Sequence, residues 1–170
     1  FEDFNMDAEF FENFKSGDDL TDDNFLIYKN ASGQLHRKHK PAVTKYWLTG
    51  KDSKGRKVRR HCEKRYYVDG VPHRSRAPAY IFYDEEGNKI VEIHYFKGKE
   101  HCINGPAKIC HPSHYSVVAE WWLDGKFYFE QRRHGPNRRQ WFWDWMVENS
   151  IDPYNLTVED WMAIKLILSD

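Results

Sequence analysis

One short pattern recurs at fixed spacing along this chain, and it limits the fold more than any bulk property. Tyr66-Tyr67-Val68-Asp69-Gly70 is followed by His73-Arg74 and then Pro78-Ala79, and His94-Tyr95-Phe96-Lys97-Gly98 by His101-Cys102 and Pro106-Ala107. Upstream, Tyr28 and Gly33 lead to His36-Arg37 and Pro41-Ala42. In all three copies the glycine precedes the histidine by three residues and the proline by eight. Spacing held three times marks an array of like units, each too small to bury an apolar face alone and stacked on its neighbour. Trp121-Trp122-Leu123-Asp124-Gly125 opens a fourth copy, but His134 and Pro136 stand at other distances, as a degenerate terminal unit would. Tyr46-Trp47-Leu48-Thr49-Gly50 lacks the downstream half, which predicts an insertion over 50–62.

Between each Pro-Ala and the next aromatic pair stands a turn signal. Asp84-Glu85-Glu86-Gly87-Asn88 lies between the apolar runs 80–83 and 90–96, and Asp52-Ser53-Lys54-Gly55 and His111-Pro112-Ser113-His114 hold the equivalent places. Each unit therefore reads as strand, turn, strand and an eight-residue link. Gly70 and Gly98 are expected at positive φ, where the chain leaves the strand, and Pro41, Pro78 and Pro106 at the start of the next strand, where a missing N–H costs least. The predicted fold is mainly β, with α+β character: an antiparallel meander of hairpin repeats over 25–136, preceded by an acidic segment, 1–24, and followed by a helical cap, 137–170.

The N-terminal segment has Phe4, Phe10, Phe11 and Phe14 among acids, which predicts a short helix over 2–15 and an acidic loop over 17–24. In the cap, Trp141 with Trp145 and Phe142 with Met146 are spaced four apart after Pro136-Asn137, and Asp152-Pro153 is expected to break that helix. Thr157 with Asp160 reads as a capping box opening a last helix with Trp161, Ile164 and Leu168 on one face.

Seven Trp, ten Tyr and eleven Phe supply enough apolar surface for a packed core, so the chain is not disordered as a whole. The formal net charge of zero conceals segregation: −8 over 1–24, +13 over 25–140 and −5 over 141–170. The acidic ends either fold back on the basic middle or face other partners. No apolar run approaches a bilayer span and no secretory pattern opens the chain, so no membrane partner is expected and a cytoplasmic setting is. Cys62, Cys102 and Cys110 lack the density of a disulfide scaffold and read as reduced thiols.

The string Gly-x-x-His-Arg-x-x-x-Pro-Ala behind aromatics resembles a group of bacteriophage proteins with hairpin repeats, themselves distantly similar to MORN-type repeats. The likeness covers roughly residues 28–136; it is close at Gly33-Gln34-Leu35-His36-Arg37 and Gly70-Val71-Pro72-His73-Arg74, and departs from the pattern where Cys102 stands in place of Arg. The resemblance implies a β-meander, a viral source and hence the host cytoplasm, and a binding surface in place of an active site.

His61-Cys62, His101-Cys102 and Cys110-His111-x-x-His114 contain zinc-type ligands but no Cys-x-x-Cys pair, so no metal and no cofactor are expected. His36, His73 and His101 recur with the structural period. Catalysis rarely needs three copies of one group, whereas a repeated link does, so these imidazoles are expected to bond backbone groups. The serines lack a nucleophile elbow, and Gly50–Gly55 lacks the Lys-Ser/Thr ending of a phosphate loop, so no catalytic residue is assigned. The candidate binding residues are the cations Arg56, Lys57, Arg59 and Arg60 with Trp47 and Tyr66, and a second cluster at Arg132 and Arg133, near Arg138 and Arg139. These imply a non-catalytic binding protein, engaging or inhibiting a host protein. The alternative is nucleic-acid or nucleotide binding through the basic aromatic surface, as an anti-defence protein would do, against which the pI of 7.3 weighs.

Overall fold

The computed structural model describes residues 24–111 and 115–169, apart from the side chains of Leu48 and Thr49. The expected N-terminal helix and acidic stretch fall outside these residues, as does most of the turn at 112–114. Short runs rich in β-branched and aromatic residues, each closed by an Asp-Gly type turn, give a meander. Its strands are β1 (Phe25–Ile27), β2 (Val43–Lys51), β3 (Lys57–Arg65), β6 (Tyr80–Tyr83), β7 (Lys89–Ile93), β10 (Lys108–Cys110), β11 (Val117–Leu123) and β12 (Lys126–Arg132). They form one antiparallel sheet in the order β1-β2-β3-β6-β7-β10-β11-β12. Register aligns Val43, Arg65, Tyr80, Ile93 and Lys108 across it, and two residues further on Lys45, Glu63, Phe82, Val91 and Cys110. With a period of two, both rows lie on one face. Most of this face is apolar, and the buried Glu63 and Arg65 enter it as an ion pair, the guanidinium lying 5.2 Å from the Tyr80 ring.

The links differ from the expected irregular connection. Each folds as a second, smaller hairpin: β4 (Tyr67–Val68) with β5 (Val71–Pro72), and β8 (Tyr95–Phe96) with β9 (Lys99–Glu100). The first unit contributes the Lys29–Leu35 bridge, and the fourth the Trp122–Phe127 end of β11 and β12. Asp69-Gly70, Lys97-Gly98 and Asp124-Gly125 all have positive φ, 49 and 78°, 50 and 80°, 52 and 78°. This is the primed turn whose twist suits a two-residue hairpin. The chain therefore reverses at these glycines rather than merely leaving the strand.

Successive small hairpins are stitched by the same bonds at every step. The turn glycine N–H donates back one unit, from Gly70 to Leu35, Gly98 to Pro72 and Gly125 to Glu100. Arg37, Arg74 and Cys102 each donate a backbone N–H forward, to Tyr67, Tyr95 and Trp122. Between these two bonds an imidazole takes the place of a carbonyl: His36 Nδ1 accepts Asp69 N–H, His73 Nδ1 accepts Lys97 N–H and His101 Nδ1 accepts Asp124 N–H, all at 3.1 Å. The Nδ1 of His36 and of His101 also lies 2.9 and 3.1 Å from the carboxylates of Asp69 and Asp124.

The extra length expected over 50–62 is accommodated within the sheet. Those residues belong to the arms of an ordinary unit: β2 and β3 have nine residues each, where β6 and β7 have four and five. Gly50, at φ 115°, sits inside β2 beside a register shift and opens no further unit.

Two helices complete the chain, α1 (Gln140–Glu148) and α2 (Val158–Ile167). α1 stops at Asn149, ahead of the expected Asp152-Pro153 break, with Ser150 left-handed at φ 55°. It buries Phe142, Trp143 and Met146, while Trp141 remains 55 % exposed. α2 opens on the Thr157/Asp160 capping box and buries Trp161 and Ile164. Together they cover Trp121 and Phe129 at the β11–β12 end of the sheet. Indole donors fasten them: Trp121 Nε1 to the Pro153 carbonyl at 2.7 Å and Trp161 Nε1 to that of Ile103 at 2.6 Å. No helix among the described residues is long and apolar enough to cross a membrane.

Candidate functional site

The stitching places the polar residues after each histidine on one side of the array. Arg37 lies over the Tyr28 ring at 3.7 Å, and one unit later Arg74 lies over the Tyr66 ring at 3.9 Å. Stacking of this kind holds a guanidinium flat and leaves its N–H edge to bond elsewhere; Arg74 Nη1 uses one such donor on the Pro78 carbonyl. Between the two Arg-Tyr pairs opens a cleft of about 410 Å³. Its lining takes Arg37, Lys38 and His39 from the first link and Arg74, Ser75 and Arg76 from the second, with Tyr66, Val68 and Ala77. Among the described residues no Asp or Glu lines it. Close to Arg74, burial, followed by the charges of Arg74 and Lys89, pushes the Lys64 ammonium below its ordinary pKa. Burial likewise lowers His94, where Glu92 opposes the shift and Arg74 adds to it.

The candidate cations of β2 and β3 lie elsewhere. β6 pairs with Glu63–Arg65 and β1 with Val43–Lys45, so the outer part of the β2–β3 hairpin extends beyond its paired neighbour strands. Six residues at about 3.3 Å each give it a reach of roughly 20 Å. Arg56, Lys57, Arg59 and Arg60 are all exposed on this arm, and Trp47, opposite Arg60, is 37 % exposed. Arg56 pairs with Asp52 at 2.8 Å, and Arg60 Nη1 reaches the Glu85 carbonyl at 3.0 Å. Tyr66 is separate from the arm and forms part of the cleft.

Arg132 and Arg133 do not join either group. They sit at the end of β12, five strands beyond β3, which is about 24 Å at the usual strand spacing of ~4.8 Å. Arg132 Nε bonds Glu130 at 2.7 Å and Arg133 Nη2 the His111 carbonyl at 3.4 Å. Arg138 and Arg139 line a small cavity of about 150 Å³ beside Tyr128 and Leu168.

Pro41, Pro78 and Pro106 each stand two residues before a strand, and the alanines after them are fully buried. Cys62, Cys102 and Cys110 are unpaired, and burial pushes all three thiols up, which keeps them protonated and poorly nucleophilic at neutral pH. Among the described residues no three His, Cys, Asp or Glu side chains gather as metal ligands would; His114 lies outside them. His111 is engaged otherwise, its Nε2 2.8 Å from Glu92, whose other oxygen takes the Lys89 ammonium at 2.6 Å.

No protein-family model matches the chain, and neither does any curated protein or solved structure. Two features escape a linear reading of the sequence. The cleft draws its cations from two links a full unit apart. A stripe on α2, Val158, Met162 and Leu166, is 69, 63 and 76 % exposed at a spacing of four, on the side away from Trp161 and Ile164; a helix apolar on both sides is its only sequence signal.

Proposed function

We propose that the chain is a non-catalytic binding protein whose β2–β3 arm engages an acidic surface of a partner protein. The observation that carries this reading is Trp47, part-exposed opposite Arg60 on an arm that also presents Arg56, Lys57 and Arg59. Trp and Arg dominate the energetics of protein interfaces, the ring by filling a pocket and the cations by steering and orienting the approach. The likeness of the repeat to bacteriophage proteins makes a host protein the partner and the host cytoplasm the place of meeting. Covering a functional surface of that protein would inhibit it. The non-catalytic part of the reading draws support from three imidazoles committed to backbone N–H groups and three thiols held protonated by burial.

A second reading, nucleic-acid binding, is favoured by the arm's shape, since a two-stranded ribbon is narrow enough for the major groove of DNA. One pair of measurements decides. Immobilised protein is exposed to nuclease-treated bacterial lysate, and the chain is titrated with single- and double-stranded oligonucleotides from low to physiological salt. Protein capture that Trp47→Ala weakens more than any single Arg→Ala on the arm, with a shallow salt dependence, supports the first reading. Micromolar or tighter oligonucleotide binding at physiological salt, falling steeply as salt rises, overturns it in favour of the second.

A further inference from the structure

The cleft between the first two links is chemically unlike the arm. Lys38 and Arg76 both line it, both exposed and neither in an ion pair among the described residues. Arg37 and Arg74 are already held flat by Tyr28 and Tyr66, so little rotamer freedom remains for a ligand to remove. Four permanent charges line one space with no carboxylate among its described lining residues, and their mutual repulsion is relieved when an anion enters. A single carboxylate is too weakly charged to balance such a set, whereas a polyphosphate carries several negative charges on compact tetrahedral groups that accept forked guanidinium bonds.

Volume narrows the class further. About 410 Å³ exceeds what a lone phosphate fills and falls in the usual range for a small-molecule site. Tyr66, Val68 and Ala77 give the space an uncharged side as well as a cationic one. Those are the two demands of a nucleotide, charge for its phosphates and a flat apolar contact for its base.

We propose that the cleft lined by Arg37, Lys38, Arg74 and Arg76 binds a nucleoside polyphosphate. The site is separate from the arm and does not depend on what the arm engages.

The test uses calorimetric titration of the full chain at physiological salt with ATP, AMP, adenosine and tripolyphosphate. ATP is expected to bind one to one in the micromolar range, AMP more weakly, and adenosine not at all. Lys38→Glu with Arg76→Glu should weaken ATP by tenfold or more, about the loss of one charge-assisted contact. Lys126→Glu with Lys165→Glu, the same charge change far from the cleft, should leave ATP binding as it was. Should the Glu pair fail to fold, as judged by circular dichroism, Lys38→Ala with Arg76→Ala serves, with a smaller loss expected in the same direction. Absence of ATP binding overturns the proposal, and so does binding that the cleft variants do not weaken. Tripolyphosphate binding as tightly as ATP would reduce the site to charge alone, and an oligonucleotide binding more tightly than ATP through Lys38 and Arg76 would assign it to nucleic acid; either result also overturns the proposal.

Discussion

The two halves of the molecule solve the same problem of stability with different materials. The array buries Ala42, Val43, Tyr67, Ala79, Tyr80, Val91, Ile93 and Cys110, small residues and tyrosines, in a core one sheet face deep. Its tyrosines keep their polar ends paired, Tyr67 with Tyr80 at 2.6 Å, and burial pushes the Tyr80 phenol well above its ordinary pKa. The rest of the holding is done by backbone bonds repeated from unit to unit. The cap instead gathers Trp121, Phe129, Phe142, Trp143, Met146, Leu156, Trp161 and Ile164 into one aromatic knot, with Trp121 stacked on Phe129 at 4.7 Å and edge-on to Trp143 at 5.5 Å. A repeated half spreads its stability over equivalent steps, so damage there should be moderate and alike at each step. A knot concentrates it, and damage there should be large and particular to the residue.

The largest effect is therefore expected in the cap. Trp121→Ala should cost about 3–5 kcal/mol, since the indole is fully buried and its loss also strands the Pro153 carbonyl; urea unfolding measures this. In the array the sharper injury is excess volume. Ala79 is fully buried with both backbone groups bonded, so Ala79→Leu should cost about 1–3 kcal/mol, while Ala31→Leu, at an exposed turn, should cost almost nothing by the same assay.

Removing one imidazole comes next. His73→Ala should cost about 0.5–1.5 kcal/mol, the net worth of one hydrogen bond at an exposed turn, and His101→Ala should match it within error. His73→Asn, which offers a carbonyl to the same N–H, should recover part of the loss. A His101 penalty as large as that of Trp121 would break the comparison, because it would make the last step part of the knot.

Acid sharpens the same contrast. Burial alone would raise the Glu92 carboxyl, but its bonds to Lys89 and His111 outweigh burial and hold it below 4.5. A carboxyl depressed in the folded state stabilises it above the unfolded pKa, and that stability is lost as pH falls through the folded value. The melting-temperature advantage of the native chain over Glu92→Gln should thus be full at neutral pH and shrink below about pH 4.5. The smallest effect belongs to the exposed stripe of α2: Met162→Lys should shift stability by no more than about 0.5 kcal/mol in thermal melts.

Much of the array is legible in the sequence because each repeated residue fills a role that few others can. Only glycine takes the second left-handed position of the small turn at no cost, and only a small side chain fits where Ala42, Ala79 and Ala107 are buried. The small hairpin itself is harder to foresee, since its first turn position is Asp69, Lys97 or Asp124, and lysine gives no sign that it will adopt φ 50°. Gly50 misleads for a related reason: behind Tyr46-Trp47 it imitates the start of a unit, whereas it occupies an irregularity in a long strand. The cap's second helix is marked by Thr157 and Asp160, which satisfy each other's neighbouring N–H groups, as a capping box must. The cleft is hidden from any window along the chain, because Lys38 and Arg76 meet only after a whole hairpin has been folded between them.

The stitching between units also bears on how such a chain changes length over time. His73 and His101 are 28 residues apart, while His36 and His73 are 37 apart, and the nine extra residues all lie in the longer arms of β2 and β3. The junction on either side is unaltered by that difference, with the same three bonds at the same places. Gene duplication could therefore splice in another 28-residue module, or lengthen one hairpin, without redesigning any joint. Among the described residues the last module stands apart from such copying, since its aromatic face is shaped for α1 and α2.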